Sequence, residues 1–172
     1  MKSILLFLFL FTCAIGYAQI PEQAVQKEAI GFLGYNEQAI ASLGQAFPEE
    51  KFNWKPAEGI RSVGEVILHV ANSNYYFLMN LGIPPPASVD MMNLEKIQGK
   101  DKILETFHAS FQFLKDNLLS VKDAQLTEKI KFPWAEMSKH AVINLLIDHS
   151  GEHKGQLIAY ARSNGIVPPW SN

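Results

Sequence analysis

Two histidines in the last quarter of the chain, His149 and His153, lie four residues apart. Residues at this spacing stack on one face of an α-helix, with their Cβ atoms about 5–6 Å apart, so both imidazoles can reach one metal ion. A third histidine, His69, lies in another helical segment. A divalent metal held by three neutral imidazoles, with an open position for water, is a common catalytic arrangement. These three histidines therefore form the predicted metal site.

Both segments place their histidines among apolar residues. Helical steps along the C-terminal segment meet mainly apolar side chains: Val142, Leu145, Leu146, Leu157 and Tyr160. Steps of three or four residues from His69 along its helical segment reach Val66, Ser73, either Tyr76 or Phe77, and Asn80. This face of the segment is mostly apolar. Burying an imidazole without a partner is costly, so three inward-facing imidazoles indicate a shared ligand. The remaining two, His108 and His140, resemble ordinary surface residues.

Polar residues within one helical turn of the histidines are candidates for orienting them or a substrate: Asn72, Ser73, Glu152 and Gln156. Hydrogen bonds to a metal-bound imidazole fix its tautomer and its orientation. Glu152 lies about 100° round the helix from the next histidine, so we expect its carboxylate in solvent, with proton transfer as the alternative role. Aromatic candidates for a pocket wall are Trp54, Tyr75 and Trp134, although aromatic residues beside a bundle usually belong to its core.

The run from His149 to His153 also fits the H-x-x-E-H pattern of inverted zinc peptidases. That class of peptidase needs a further acidic ligand downstream, and no Asp or Glu follows His153 in this sequence. We therefore favour a third histidine as the remaining ligand.

The N-terminal residues have the features of an export signal. Lys2 precedes an almost unbroken apolar run from Ile4 to Ile15, and Gly16 and Ala18 fit the small residues before a signal-peptidase cut. The apolar run is short for a membrane span, which needs roughly 20 residues. We expect a signal peptide over residues 1–18, cleavage after Ala18, and a periplasmic or secreted protein. The alternative is a retained N-terminal anchor.

Composition limits the class of protein further. The 172 residues are 48% hydrophobic and 19% charged, with a net charge of −2, values typical of one globular domain, here residues 19–172. This charge offers no general attraction for nucleic acid or for an anionic membrane, and no later apolar run is long enough to span a bilayer. The only cysteine, Cys13, lies in the leader, which leaves no disulfide or multi-cysteine zinc site.

Hydrophobic period and helix punctuation predict an all-α protein, a four-helix bundle with little strand. The predicted helices span about residues 21–43, 62–81, 101–119 and 138–164. The run from Ser62 to Glu65 has the pattern of a capping box, while Gly44 and Gly165 are predicted helix ends. Lys129 to Phe132 alternates like a short strand.

Three motifs, taken in order, resemble the DinB-like family, the DinB/YfiT superfamily of bacterial helix bundles. The first is Trp54-Lys55-Pro56 followed by the run from Arg61 to His69. The second is the run from His149 to Leu157, and the third runs from Ala161 to Pro169. Together the motifs span nearly all of the chain after the leader.

The resemblance implies a four-helix bundle with a long crossover connection and a divalent metal held by His69, His149 and His153. Zinc, nickel, iron and manganese are the candidate ions, and homodimers are common in the family. The resemblance also implies a metal-dependent hydrolase or a transferase that uses low-molecular-weight thiols. Because such thiols are scarce outside the cytoplasm, we expect a hydrolase that acts on a small molecule through metal-activated water. A non-catalytic bundle that binds metal or ligand, or a scaffold stiffened by metal, is the alternative.

Overall fold

The computed structural model describes residues 21–171, so the predicted signal peptide, its cleavage site and Cys13 lie outside the described residues. The described part contains four long helices: α1 (Ala24–Ala46), α2 (Val63–Asn80), α3 (Lys100–Asn117) and α4 (Lys139–Ser163). A small antiparallel hairpin of β1 (Lys129–Lys131) and β2 (Glu136–Ser138) precedes α4. The predicted four-helix bundle is confirmed. No helix within residues 21–171 has the length and apolar character needed to cross a bilayer.

Two closely packed helix pairs build the bundle, α1 with α4 and α2 with α3. Contacts between α2 and α4 and between α1 and α3 join the two pairs, whereas the consecutive helices α1 and α2 touch little. The chain therefore crosses the bundle between α1 and α2 instead of returning to the nearest neighbour. The connection from α2 to α3, residues 81–99, packs back on α2 through a 3₁₀ turn at Leu94–Lys96. This topology brings α2 and α4, which carry the three histidines, side by side.

Hydrogen bonds from side chains define where α2 and α4 begin. The Ser62 hydroxyl accepts from the Glu65 backbone N–H at 3.3 Å, and the Glu65 carboxylate accepts from the Ser62 N–H at 2.7 Å. This is the predicted capping box. Ser138 caps α4 by accepting from the Ala141 N–H at 3.2 Å. Each cap satisfies backbone donors that have no partner inside the helix.

Gly44 does not end α1 as predicted, because the helix continues to Ala46. A Cβ atom on Gly44 would lie 2.6 Å from Leu104 Cδ2 and 3.3 Å from Ile67 Cδ1. The missing side chain therefore allows close packing of α1 against α2 and α3. The prediction for Gly165 is confirmed, since its φ of 72° is the left-handed conformation of a helix C-terminus.

A buried polar contact joins α1 to α4 within the apolar core. The Asn36 amide donates to Ser150 Oγ at 2.8 Å, and the Asn36 carbonyl accepts from Lys154 Nζ at 2.7 Å. Asn36 and Ser150 are both buried, and buried polar groups are stable only when hydrogen-bonded. The surrounding core is built from large, fully buried side chains: Leu33, Ile40, Ile67, Leu78, Phe107, Phe111, Leu114 and Ile143. The hydrogen bonds of Asn36 therefore fix the orientation of α1 relative to α4, which apolar packing alone does not do.

Candidate metal centre

Three imidazoles from α2 and α4 meet at the edge of the bundle core. His149 Nε2 lies 3.3 Å from His69 Nε2 and 3.2 Å from His153 Nε2. One ligand atom from each histidine lies within 4.8 Å of those of the other two. His153 is buried, with 8% of its surface exposed, whereas His69 and His149 are half-buried. The cluster is therefore anchored in the core and borders the solvent on one side.

Oxygen atoms hold the outward-facing nitrogen of two of these imidazoles. His69 Nδ1 lies 3.1 Å from Glu95 Oε1, and His153 Nδ1 lies 2.8 Å from Gln156 Oε1. A carboxylate oxygen and an amide oxygen can only accept hydrogen bonds. Both Nδ1 atoms therefore carry a hydrogen, so the neutral form of each ring presents the lone pair of its Nε2 atom to the centre of the cluster.

A chain of hydrogen bonds fixes the orientation of the Gln156 amide. Gln156 Nε2 donates to the Tyr160 hydroxyl at 2.7 Å, and that hydroxyl donates to the Arg61 backbone carbonyl at 3.0 Å. The Trp54 ring packs edge-on against Tyr160, with 5.3 Å between ring centroids. Gln156 and Trp54 were both proposed from the sequence. Gln156 contacts His153 directly, whereas Trp54 is linked to it through Tyr160 and Gln156.

Glu95, which the sequence analysis missed, comes from the 3₁₀ turn in the connection between α2 and α3. Its Oε1 accepts from Asn72 Nδ2 at 3.1 Å as well as from His69, and its Oε2 lies 3.9 Å from Arg61 Nη2. Burial would raise the pKa of the Glu95 carboxyl, but the hydrogen bonds from His69 and Asn72 outweigh burial and lower its pKa. Glu95 is therefore an anion at neutral pH, and the predicted candidate Asn72 contacts it directly.

Burial and neighbouring positive groups lower the pKa of two of the three imidazoles, His69 and His149. Desolvation, followed by the charges of His153, His69 and Arg61, lowers the pKa of His149 from 6.5 to about 4. Burial also lowers the pKa of His69, against the opposing effect of its hydrogen bond to Glu95. Neutral imidazole is the form that binds metal ions. At neutral pH the His69 and His149 rings therefore need no deprotonation before binding a metal ion.

An aromatic wall of Tyr76, Phe77, Phe132 and Trp134 flanks the cluster on the hairpin side. The Phe77 ring lies 5.8 Å from His149 and 6.3 Å from Phe132, measured between centroids. Trp134 stacks on Phe132 at 5.0 Å and lies 6.2 Å from Tyr76. One face of the Trp134 ring packs on Phe132, yet 61% of the Trp134 surface is exposed. The wall therefore continues from the imidazoles to an apolar surface that is open to solvent.

Three other candidates, Glu152, Ser73 and Tyr75, make none of the hydrogen bonds described for the three imidazoles. Glu152 is exposed and lines a groove between α1 and α4. Ser73 is half-buried and takes part in none of the hydrogen bonds described around the cluster. Tyr75 is buried against Phe113 and lines a separate cavity of about 400 Å³ beside α3. His108 and His140 are exposed, as expected.

A four-helix bundle with three converging imidazoles on two adjacent helices defines the class of protein. The model of the DinB family matches residues 25–172, and the chain belongs to this family. The resemblance identified from the three sequence motifs is thus confirmed. No curated protein matches the chain significantly.

Solved structures of DinB-like proteins share the fold. A DinB-like protein from Bacillus cereus ATCC 10987 superposes with a TM-score of 0.70 at 17% identity, over 85% of this chain and 97% of that one. YjoA from Bacillus subtilis, also DinB-like, gives 0.64 at 18% identity, over 80% and 92%. YfiT from B. subtilis gives 0.62 at 19% identity, over 87% and 93%, and is described as a probable metal-dependent hydrolase with an unusual four-helix bundle topology.

The metal-free protein should lose stability as the pH falls from about 7 to about 5. In the unfolded chain His149 binds a proton near pH 6.5, whereas in the folded protein it stays neutral until about pH 4. Acid in this range therefore favours the unfolded state, because that state takes up more protons. Urea denaturation in the presence of a chelator, followed by circular dichroism at several pH values, measures the free energy of unfolding.

His149→Gln removes this titrating group, so the free energy of unfolding of the variant should depend less on pH than that of the wild type. His140→Gln, at an exposed position, serves as the matched control and should keep the wild-type dependence. A wild-type free energy of unfolding that stays constant across the range contradicts the expectation.

Proposed function

We propose that the protein is a divalent-metal-dependent hydrolase that acts on a small molecule, with His69, His149 and His153 as the metal ligands. The observation that carries the proposal is the convergence of the three Nε2 atoms, with neighbouring separations of 3.2 and 3.3 Å. The description of YfiT as a probable metal-dependent hydrolase supports the same reading for a member of the same family.

The donor set fits a divalent cation. Glu95 and Gln156 hold the Nδ1 hydrogens of two rings on the outside, so lone pairs face one another inside the cluster. Facing lone pairs repel unless a hydrogen or a cation lies between them, and a shared cation satisfies all three nitrogens together. Three imidazoles accept several first-row ions, among them zinc, nickel, iron and manganese. Three imidazoles therefore do not select one of these ions, and the ion that is bound depends on which is available.

When bound, a divalent cation supplies Lewis acidity, which lowers the pKa of a coordinated water and polarises a substrate carbonyl. The chain itself contributes position and charge around that group. Glu95 and Gln156 fix the rings of His69 and His153. The Arg61 guanidinium is close enough to lower the pKa of His69 and His149. This positive charge, on an exposed side chain 3.9 Å from Glu95, favours a substrate whose reacting oxygen gains negative charge.

Metal content and turnover test this proposal together. Protein prepared without a histidine tag should contain about one divalent ion per chain, bound as in other tri-histidine sites. At a metal concentration a hundredfold above Kd, binding should raise the free energy of unfolding by about 2.7 kcal/mol. Elemental analysis and thermal denaturation measure both quantities. Hydrolysis of 4-nitrophenyl acetate, a lactone and an anilide measures turnover.

His153→Ala should lose the metal, the metal-induced stabilisation and the turnover, whereas the control His140→Ala should keep all three. Absence of bound metal in the wild type would overturn the proposal. Stoichiometric metal with no turnover on any ester, lactone or amide would instead identify a non-catalytic metal-binding bundle. Loss of thermal stability alone in His153→Ala would indicate a scaffold that is stiffened by its metal.

The aromatic wall favours substrates with a flat apolar portion. Trp134 is held in place by Phe132 but keeps most of its surface exposed, and aromatic contacts contribute about 0.5–1.5 kcal/mol. With 1-naphthyl acetate as substrate, Trp134→Ala should therefore raise KM about 2- to 10-fold and leave kcat nearly unchanged. Trp170→Ala is the matched control, because Trp170 is also exposed but lines a groove beside α1. Equal KM values for the two variants contradict this assignment.

Export and dimer formation stay predictions. N-terminal sequencing of the protein recovered from the periplasm or the medium checks cleavage after Ala18. The outer face of α1 exposes Phe32 and Tyr35, and large exposed aromatic residues are common at protein interfaces. This observation supports homodimer formation, which analytical ultracentrifugation tests.

A further inference from the structure

We propose that Glu95 is the positioning residue of the metal centre, so that the connection between α2 and α3 takes part in metal binding. This inference rests on the proposed function, because it assigns a role to a residue beside the same three imidazoles. Glu95 lies on the 3₁₀ turn at Leu94–Lys96, and the neighbouring Leu94 is buried against the core. The carboxylate is thus fixed to the bundle by the burial of an adjacent apolar side chain.

The contacts of Glu95 orient His69 in a defined way. Oε1 accepts from His69 Nδ1 at 3.1 Å and from Asn72 Nδ2 at 3.1 Å. Because a carboxylate accepts only, it selects the tautomer of His69 with the hydrogen on Nδ1. The lone pair of His69 Nε2 then points at His149 Nε2, 3.3 Å away. Without this acceptor, the ring could rotate or move its hydrogen to the nitrogen that a metal needs.

Asn72 and Arg61 hold the carboxylate in this position. The Asn72 side chain donates to Glu95 while its own Oδ1 is buried without a hydrogen-bond partner among the described residues. A flipped Asn72 amide would place its oxygen against the Glu95 carboxylate, and the two oxygens would repel each other. The observed orientation leaves Oδ1 without a partner, which costs free energy, but it keeps the hydrogen bond from Nδ2 to Glu95. Arg61 Nη2 adds a positive charge 3.9 Å from Oε2. The Glu95 carboxylate is therefore held by two residues of α2, His69 and Asn72, and by Arg61 just before α2.

The two supported histidines are held by acceptors of different charge. His69 is backed by a carboxylate, whereas His153 is backed by the neutral amide of Gln156. An anionic acceptor makes the imidazole a stronger electron donor, and loss of such partners typically reduces metal affinity 10- to 100-fold. His69 is thus the ligand whose strength depends most on a residue outside the four helices.

Two measurements on Glu95→Ala and Glu95→Gln test the inference. Isothermal titration with Zn²⁺ should show a Kd about 10- to 100-fold higher in Glu95→Ala than in the wild type, and an intermediate Kd in Glu95→Gln, which keeps an acceptor oxygen. ¹⁵N NMR of the metal-free proteins, at about pH 8 where imidazole is neutral, should show the Nδ1–H tautomer of His69 in the wild type and a shift towards Nε2–H in Glu95→Ala.

The control is Glu58→Gln, because Glu58 is exposed and pairs with Lys55 on the surface, away from the imidazoles. This variant should retain the wild-type Kd and the wild-type tautomer. A role limited to anchoring the connection would lower the melting temperature of Glu95→Ala and leave the tautomer unchanged, and that result would overturn the inference. If the wild type binds no metal, the proposed function fails, while the tautomer measurement still decides the role of Glu95.

Discussion

The site depends on one electrostatic constraint, the approach of three imidazoles through their Nε2 nitrogens. Such an approach is unfavourable unless the hydrogens are held elsewhere and the lone pairs share a positive partner. The structure meets the first condition with acceptors outside the cluster, Glu95 for His69 and Gln156 for His153. It meets the geometric condition by packing α2 directly against α4. Crossover of the chain between α1 and α2 makes that pairing available.

Charge around the cluster is balanced over a short distance. Arg61 lowers the pKa of two of the imidazoles, while Glu95 opposes the effect of burial on His69. The Glu95 carboxylate lies 3.9 Å from the exposed Arg61 guanidinium, so one negative and one positive group lie side by side next to the imidazoles. The aromatic wall on the other side carries no charge. The surroundings of the three imidazoles are therefore polar towards Arg61 and apolar towards Trp134.

Local patterns in the sequence were sufficient for the histidine pair, the capping box and the approximate helix limits, because each depends on residues within one or two helical turns. Gln156 was found for the same reason, since it lies three residues after His153. Glu95 was missed because 26 residues separate it from His69 and its segment has no helical period. Gly44 has the residue type of a helix end, but helix packing determined its role. Strand β2 was also missed, because Glu136–Ser138 pairs with β1 without apolar alternation of its own.

The polar contact between Asn36, Ser150 and Lys154 has a consequence for which way α4 faces. Ser150 and Lys154 each directly follow a histidine in the chain, so their side chains are turned by about 100° from those histidines round the helix axis. When they reach Asn36 on α1, His149 and His153 are directed to the neighbouring α2. Apolar side chains alone would tolerate a small rotation of the helix about its axis, whereas these hydrogen bonds weaken when their angles depart from the preferred range. Asn36 thus limits rotation of α4 about its axis. In this way α1 helps to orient His149 and His153, although none of the three clustered histidines lies on α1.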